Sequence, residues 1–139
     1  MTRMLACLFL ASIAVLPATA QEQSLAPAGA SVTILEPANG ATVSSPVTVK
    51  FGITGMDLAP AGTDKPNSGH HHLLIDAPLA DPKGPIPADA HNKHFGKAQT
   101  EATIELTPGT HTLQLVLGDK NHVPFSPSVQ SEVITITVK

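Results

Sequence analysis

The chain of 139 residues has one cysteine, no tryptophan and no tyrosine, and each scarcity removes a class of chemistry. Cys7 stands inside the N-terminal apolar run, not after it, where a lipid-attachment cysteine would have to be. Past that run there is no thiol, which excludes disulfides, thiolate metal ligands, a cysteine nucleophile and a blue-copper centre. Without Trp or Tyr there is no platform for stacking a sugar ring, and four Phe, one of them Phe9 in the leader, do not replace it. Arginine is absent after Arg3, leaving seven Lys against eleven Asp plus Glu and a formal balance of −4 with His neutral. Such a mildly acidic surface gives no drive toward nucleic acid or anionic lipid. No G-x-S-x-G elbow, H-E-x-x-H pair or glycine-rich phosphate loop occurs, so the common hydrolase and nucleotide-binding signatures are missing.

The first twenty residues carry a basic Arg3, an apolar run from Leu5 to Leu16 and the small-residue end Ala18-Thr19-Ala20. These are the three parts of a secretory signal, with cleavage expected after Ala20 and a periplasmic or secreted product. The run is short for a bilayer and no second one follows, so membrane insertion is not expected. Residues 21–30, QEQSLAPAGA, read as a flexible lead-in. Residues 31–139 are enough chain for one domain with an ordinary core.

Within that domain the apolar residues recur at every second position. Val32 and Ile34 open the pattern, Val47, Val49, Phe51 and Ile53 continue it, and Ala102, Ile104 and Leu106 repeat it. Leu113, Leu115 and Leu117, then Ile134, Ile136 and Val138, complete it. Period two means half-buried strands, and no helical stripe is present. Pro37-Ala38-Asn39-Gly40, Thr107-Pro108-Gly109 and Gly118-Asp119-Lys120-Asn121 supply the turns between them. Short strands at this spacing, without crossover helices, predict an all-β, immunoglobulin-like antiparallel β-sandwich of about seven strands.

The stretch NSGHHHLLID, Asn67 to Asp76, departs from simple alternation. It puts His71, Leu73 and Ile75 on one face and His70, His72, Leu74 and Asp76 on the other, so both faces carry an apolar residue. Something must therefore cover the face of Leu74. The segment Ala77 to Ala98, with four prolines and no periodicity, is the expected cover, anchored by Ile86 and Phe95. Loops of that length are usually functional or disordered. If this one folds back, His91 and His94 arrive beside His70 and His72.

Histidines at i and i+2 on one strand face stand roughly 6.5 to 7 Å apart, a spacing at which two imidazoles can lean toward one ion. With no thiolate and one methionine, Met56, past the leader, the set His70, His72, His91 and His94 suits Cu(II), Zn(II) or Ni(II) and not thioether-bound Cu(I). The competing reading leaves all four as exposed strand or loop histidines. His71, sharing a face with Leu73 and Ile75, reads as structural, with a hydrogen bond inside or at the edge of the core. His111 reads as a satisfied core histidine of the Leu113 face. His122, after the tight turn, reads as a turn residue first and a ligand second.

The blocks GHHHLLID, HFGKAQTEATIEL and PGTHTLQLVLGDKNHVP resemble the signature of domain-of-unknown-function family 4399, small exported bacterial domains, over nearly the whole chain past the leader. The resemblance implies export and a compact domain; the family name carries no activity. PANGATVSSPVTVKF and LTPGTHTLQL also resemble strand-turn phrases of bacterial immunoglobulin-like modules, in which the position of His111 holds a tyrosine that ties the strand back to a turn. The architecture is similar to that of periplasmic copper carriers only as a small sandwich, and Gln21-Glu22-Gln23 departs from their N-terminal histidine.

Together these features predict an exported, non-catalytic protein that coordinates a divalent metal through a histidine cluster. The alternative is an envelope protein-interaction module using the 77–98 loop or a sheet edge. A metal-dependent hydrolase would need a carboxylate base, with Asp76 and Asp89 as candidates, and nothing in the sequence fixes one.

Overall fold

The computed structural model describes residues 22–139; the expected signal, its cleavage site and Gln21 lie outside the described residues. Nine strands follow in chain order: β1 (Ser31–Glu36), β2 (Thr42–Val43), β3 (Val47–Thr54), β4 (Asp57–Leu58), β5 (Ser68–Ile75), β6 (Asn92–Phe95), β7 (Glu101–Ile104), β8 (Gly109–Gly118) and β9 (Ile134–Val138). No described residue is helical, and among the described residues no helix is long and apolar enough to cross a membrane. The chain is an all-β, immunoglobulin-like sandwich. One sheet has the order β1-β3-β7, the other β2-β9-β8-β5-β4 with β6 added to β5.

Alternation decides which side chains meet between the sheets. Val47, Val49 and Phe51 of β3 face Leu73 and Ile75 of β5, Leu113, Leu115 and Leu117 of β8, and Ile134, Ile136 and Val138 of β9 in one buried cluster. Strands β3 and β9 alternate between buried and more exposed residues as the sequence pattern requires, most cleanly in β9. The pairing is antiparallel except for two-residue parallel ladders at β2–β9 and β4–β5. Such short parallel contacts sit at sheet margins and need no crossover helix.

Strand β5 departs furthest from alternation, buried at every residue from Ser68 to Ile75, and its neighbour β8 is likewise buried without a break from Leu115 to Gly118. Its inner face joins the core, while on its outer face Leu74 packs with Val116 and Ile86, flanked by Leu79. The 77–98 segment is thus the cover that Leu74 demands. Two details differ from the sequence expectation. Asn92–Phe95 forms a strand within a segment expected to have none, because an edge strand can be polar where it meets water. Phe95 stands opposite His71 and packs against Phe51 at 5.2 Å between ring centroids, so it anchors the segment on the core side while Ile86 anchors it over Leu74.

The lead-in is tied down where flexibility was expected. Ser24 Oγ donates to Asp119 Oδ2 at 2.8 Å, Gln23 Nε2 donates to the Pro124 carbonyl at 3.0 Å, and the backbone of Ala26 and Ser126 pairs. These bonds reach residues distant in sequence, so local composition gave no sign of them.

His111 is half-buried at the margin, not in the core. Its Nδ1 meets Asp76 Oδ2 at 2.7 Å and its Nε2 meets the Thr107 carbonyl at 2.7 Å. Both nitrogens face acceptors, so the doubly protonated ring is the satisfied form. The Asp76 hydrogen bond raises the His111 pKa above its ordinary value. For Asp76, partial burial pushes the carboxyl up, but the bonds from His111 and the Thr112 N–H outweigh it and hold the pKa down. A raised histidine pKa stabilises the fold fully below about 6.5, and that stability is lost as pH rises through the folded value. Asp76→Asn is therefore expected to cost about 1 kcal/mol at pH 6, discounted for exposure, and less at pH 9. Denaturant titrations at the two pH values check this; an equal cost at both would show that the ring does not act as a cation.

Candidate metal site

Three elements bring four histidines together on the outer side of the larger sheet. His70 and His72 stand two apart on β5 and share its outer face. Across the antiparallel β5–β6 pair, His94 lies directly opposite His72, as cross-strand partners must share a face. On the other side β8 pairs Gly118 with His70, and the turn that follows carries His122 back over the same face. One ligand-capable atom from each of His70, His72, His94 and His122 lies within 4.8 Å of every other. Their ring centroids are 4.7 to 5.7 Å apart, with His94–His122 nearest and His72–His122 farthest.

The turn that delivers His122 is held by a buried carboxylate. Asp119 Oδ1 accepts from the N–H groups of Asn121 at 2.8 Å and Val123 at 3.0 Å, while its carbonyl accepts from the His122 N–H at 2.9 Å. His122 adopts φ 66°, a left-handed conformation that a side-chain-bearing residue seldom takes without such support. The Ile86 N–H donates to the His122 carbonyl at 2.8 Å, tying the covering segment to the same turn.

Two glycines make room for the rings. A Cβ on Gly118 would stand 2.7 Å from His72 Nε2, and one on Gly96 would stand 2.6 Å from His94 Nε2. Glycine within a strand often marks a close approach by another group, and at Gly118, the last residue of β8, it gives clearance for an imidazole. Gly118→Ala is expected to push the His72 ring aside and to weaken Zn(II) binding roughly 10- to 100-fold, the scale on which supporting residues act at metal sites. Calorimetric titration of the variant decides this, and unchanged affinity would mean that His72 binds nothing at that position.

Burial lowers the His70 pKa to about 4 and the His72 pKa to about 3, with the neighbouring histidines adding to the effect and Asp119 partly opposing it at His70. His94 is also lowered, by burial and then by His122. The rings are thus held neutral, the form that ligates. His70 Nε2 lies 2.9 Å from His72 Nε2 and 3.1 Å from His122 Nδ1. A ring nitrogen has one in-plane position, occupied by a proton or a lone pair, so His70 Nε2 cannot make two ordinary hydrogen bonds at once. A cation at the centre suits all these lone pairs together, and tetrahedral zinc with Zn–N near 2.0 Å would space its ligand nitrogens roughly 3.3 Å apart.

His91 does not join the group. Three residues from His94 in an extended segment, it has the opposite parity, and its Nδ1 meets the Ile75 carbonyl at 2.8 Å. His122 takes the fourth place instead; the turn signal was visible in the sequence, but the register that aims it at His70 was not. The two carboxylates weighed as bases are engaged elsewhere, Asp76 with His111 and Thr112, and Asp89 with the backbone and side chain of Asn92 and the N–H of His91. His71 fills the inner face against Phe51 at 5.0 Å, and among the described residues neither of its ring nitrogens finds the hydrogen bond expected for it.

A family model described as "Domain of unknown function (DUF4399)" matches residues 49–139, a span that holds all four histidines. No curated protein matches the chain. Among solved structures it is similar to the fibronectin(III)-like modules of Clostridium thermocellum CbhA, at 12% identity and a TM-score of 0.43, covering 78% of this chain and 95% of that one.

Proposed function

The chain belongs to the DUF4399 family, whose description assigns no activity, and from the site itself we propose an exported, non-catalytic protein that binds a divalent transition metal, Cu(II) or Zn(II). The observation that carries this reading is the convergence of His70, His72, His94 and His122 within 4.8 Å. Four imidazoles form a nitrogen-only donor set, which suits Cu(II), Zn(II) and Ni(II) and is a poor match for Mg(II) or Ca(II). No carboxylate belongs to the group, and the neighbouring Asp119 carboxylate is committed to Ser24 Oγ and to the N–H groups of Asn121 and Val123, so it is not free to act as the base that metal-assisted hydrolysis uses. Docking on an envelope protein through the 77–98 segment accounts for less, because Ile86 of that segment is buried against Leu74 and Val116 of the same domain.

The Nδ1 atoms of His70 and His72 are buried without a hydrogen-bond partner among the described residues. Metal-bound histidines usually donate that second N–H to an acceptor, which strengthens the ligand. The affinity should therefore be moderate. Calorimetric titration of tag-free protein with Zn(II), Cu(II) and Ni(II) tests the reading, with one equivalent bound as the expected result. Binding no tighter than that of a variant lacking His70 and His72 would sink it.

A further inference from the structure

The four histidines are not held alike, and the geometry points to a three-plus-one site in which His94 is the detachable ligand through which metal enters and leaves. This rests on the metal-binding reading above. His70 and His72 are 1% exposed, on a strand flanked by β8 on one side and by β4 and β6 on the other. His122 is half-buried on a turn fixed by Asp119 and Ile86. His94 alone is exposed, on a four-residue strand whose one pairing partner is β5.

The surroundings of His94 favour movement of its ring. Beside it a groove of about 400 Å³ runs between β6 and β7, lined by Lys93, His94, Phe95, Thr103, Ile104 and Glu105. That groove leaves one flank of β6 unpacked, and the imidazole itself, exposed on the outer face, can turn into solvent without displacing a core side chain. Gly96 lies under the ring, and Ala61 is the next neighbour of that position; any Cβ at residue 96 would force the imidazole outward. Release of His94 would leave His70, His72 and His122 on the ion and free one coordination position facing solvent. A donor atom of an incoming chelator can occupy that position before the buried ligands let go. Metal held in this way is exchangeable cargo, in contrast to a closed structural site whose four ligands are all fixed.

The test uses Co(II) as an absorbing stand-in for Zn(II), loaded into the wild-type protein and into His94→Ala, His72→Ala and Gly96→Ala, followed by stopped-flow transfer to excess EDTA. Far-UV circular dichroism of each metal-free variant confirms the fold. The expected result is that His94→Ala still binds one Co(II), about tenfold more weakly, with weaker visible absorption as a water replaces the fourth nitrogen. It should surrender the ion at least tenfold faster than wild type. His72→Ala should retain no stoichiometric Co(II), and Gly96→Ala, which keeps the imidazole but displaces it, should speed release as His94→Ala does. A His94→Ala release rate equal to that of wild type, or an affinity loss as large as that of His72→Ala, overturns the three-plus-one assignment while leaving a four-histidine site standing. Failure of the wild type to bind Co(II) or Zn(II) would instead overturn the metal-binding reading itself.

Discussion

Replacing His70 and His72 together by alanine is expected to abolish stoichiometric Zn(II) and Cu(II) binding, the largest functional change that any pair of substitutions should produce. These two rings are 1% exposed, and their Nε2 atoms stand 2.9 Å apart, closer than His70 Nε2 and His122 Nδ1 at 3.1 Å. Structural zinc sites bind with on the order of 10 to 16 kcal/mol, so one ligand of four accounts for about 3 kcal/mol or roughly two decades in affinity. Losing two should raise the dissociation constant by about four decades, beyond what a calorimetric titration at micromolar protein detects. His111→Ala serves as the control, because His111 bonds Asp76 and Thr107 far from the group; it should lower stability and leave affinity unchanged. If the double variant titrates like wild type, the cluster does not ligate.

The second large effect is loss of the metal-free fold in mild acid. Burial lowers the pKa of His71 from 6.5 to about 4, and His70 and His72 fall to about 4 and about 3. In the unfolded chain these rings accept protons near pH 6.5; in the folded chain they resist until the pH is far lower. Their contribution is complete above about 6.5 and declines as pH falls toward 4. For His71 alone the decline amounts to about 3 kcal/mol at pH 4, a large share of the 5 to 15 kcal/mol that holds a typical domain together. Denaturant titrations in EDTA between pH 7 and pH 4 should show stability falling steeply across that window. His71→Leu isolates the cause. It keeps an apolar side chain on the inner face while removing two buried nitrogens that lack partners, so it should add about 1 to 3 kcal/mol at pH 7 and flatten the acid decline. An acid profile unchanged by that substitution would place the sensitivity elsewhere.

The strands were legible because burial between two sheets imposes a period of two, and Val47-Val49-Phe51 and Leu113-Leu115-Leu117 put an apolar residue at each inward position. The doubly covered strand was legible for a related reason: Leu74 on the same face as His70 and His72 requires a cover, and Ile86 provides it. Strand β6 escaped notice because an edge strand with its polar side chains in water carries no apolar alternation. The docked lead-in escaped because its bonds join residues about a hundred positions apart, such as Ser24 and Asp119.

The sequence by itself determined the sandwich and the histidine pair on one face of β5, since both follow from side-chain alternation along a single strand. Which further histidines complete the group was decided by tertiary structure. Cross-strand register sets His94 opposite His72 and leaves His91 on the other parity, and the Asp119 turn carries His122 onto the face of His70. Register and turn direction depend on how separate strands pair and on which carboxylate caps the turn. Those are contacts between distant parts of the chain, and the spacing of residues along it does not encode them.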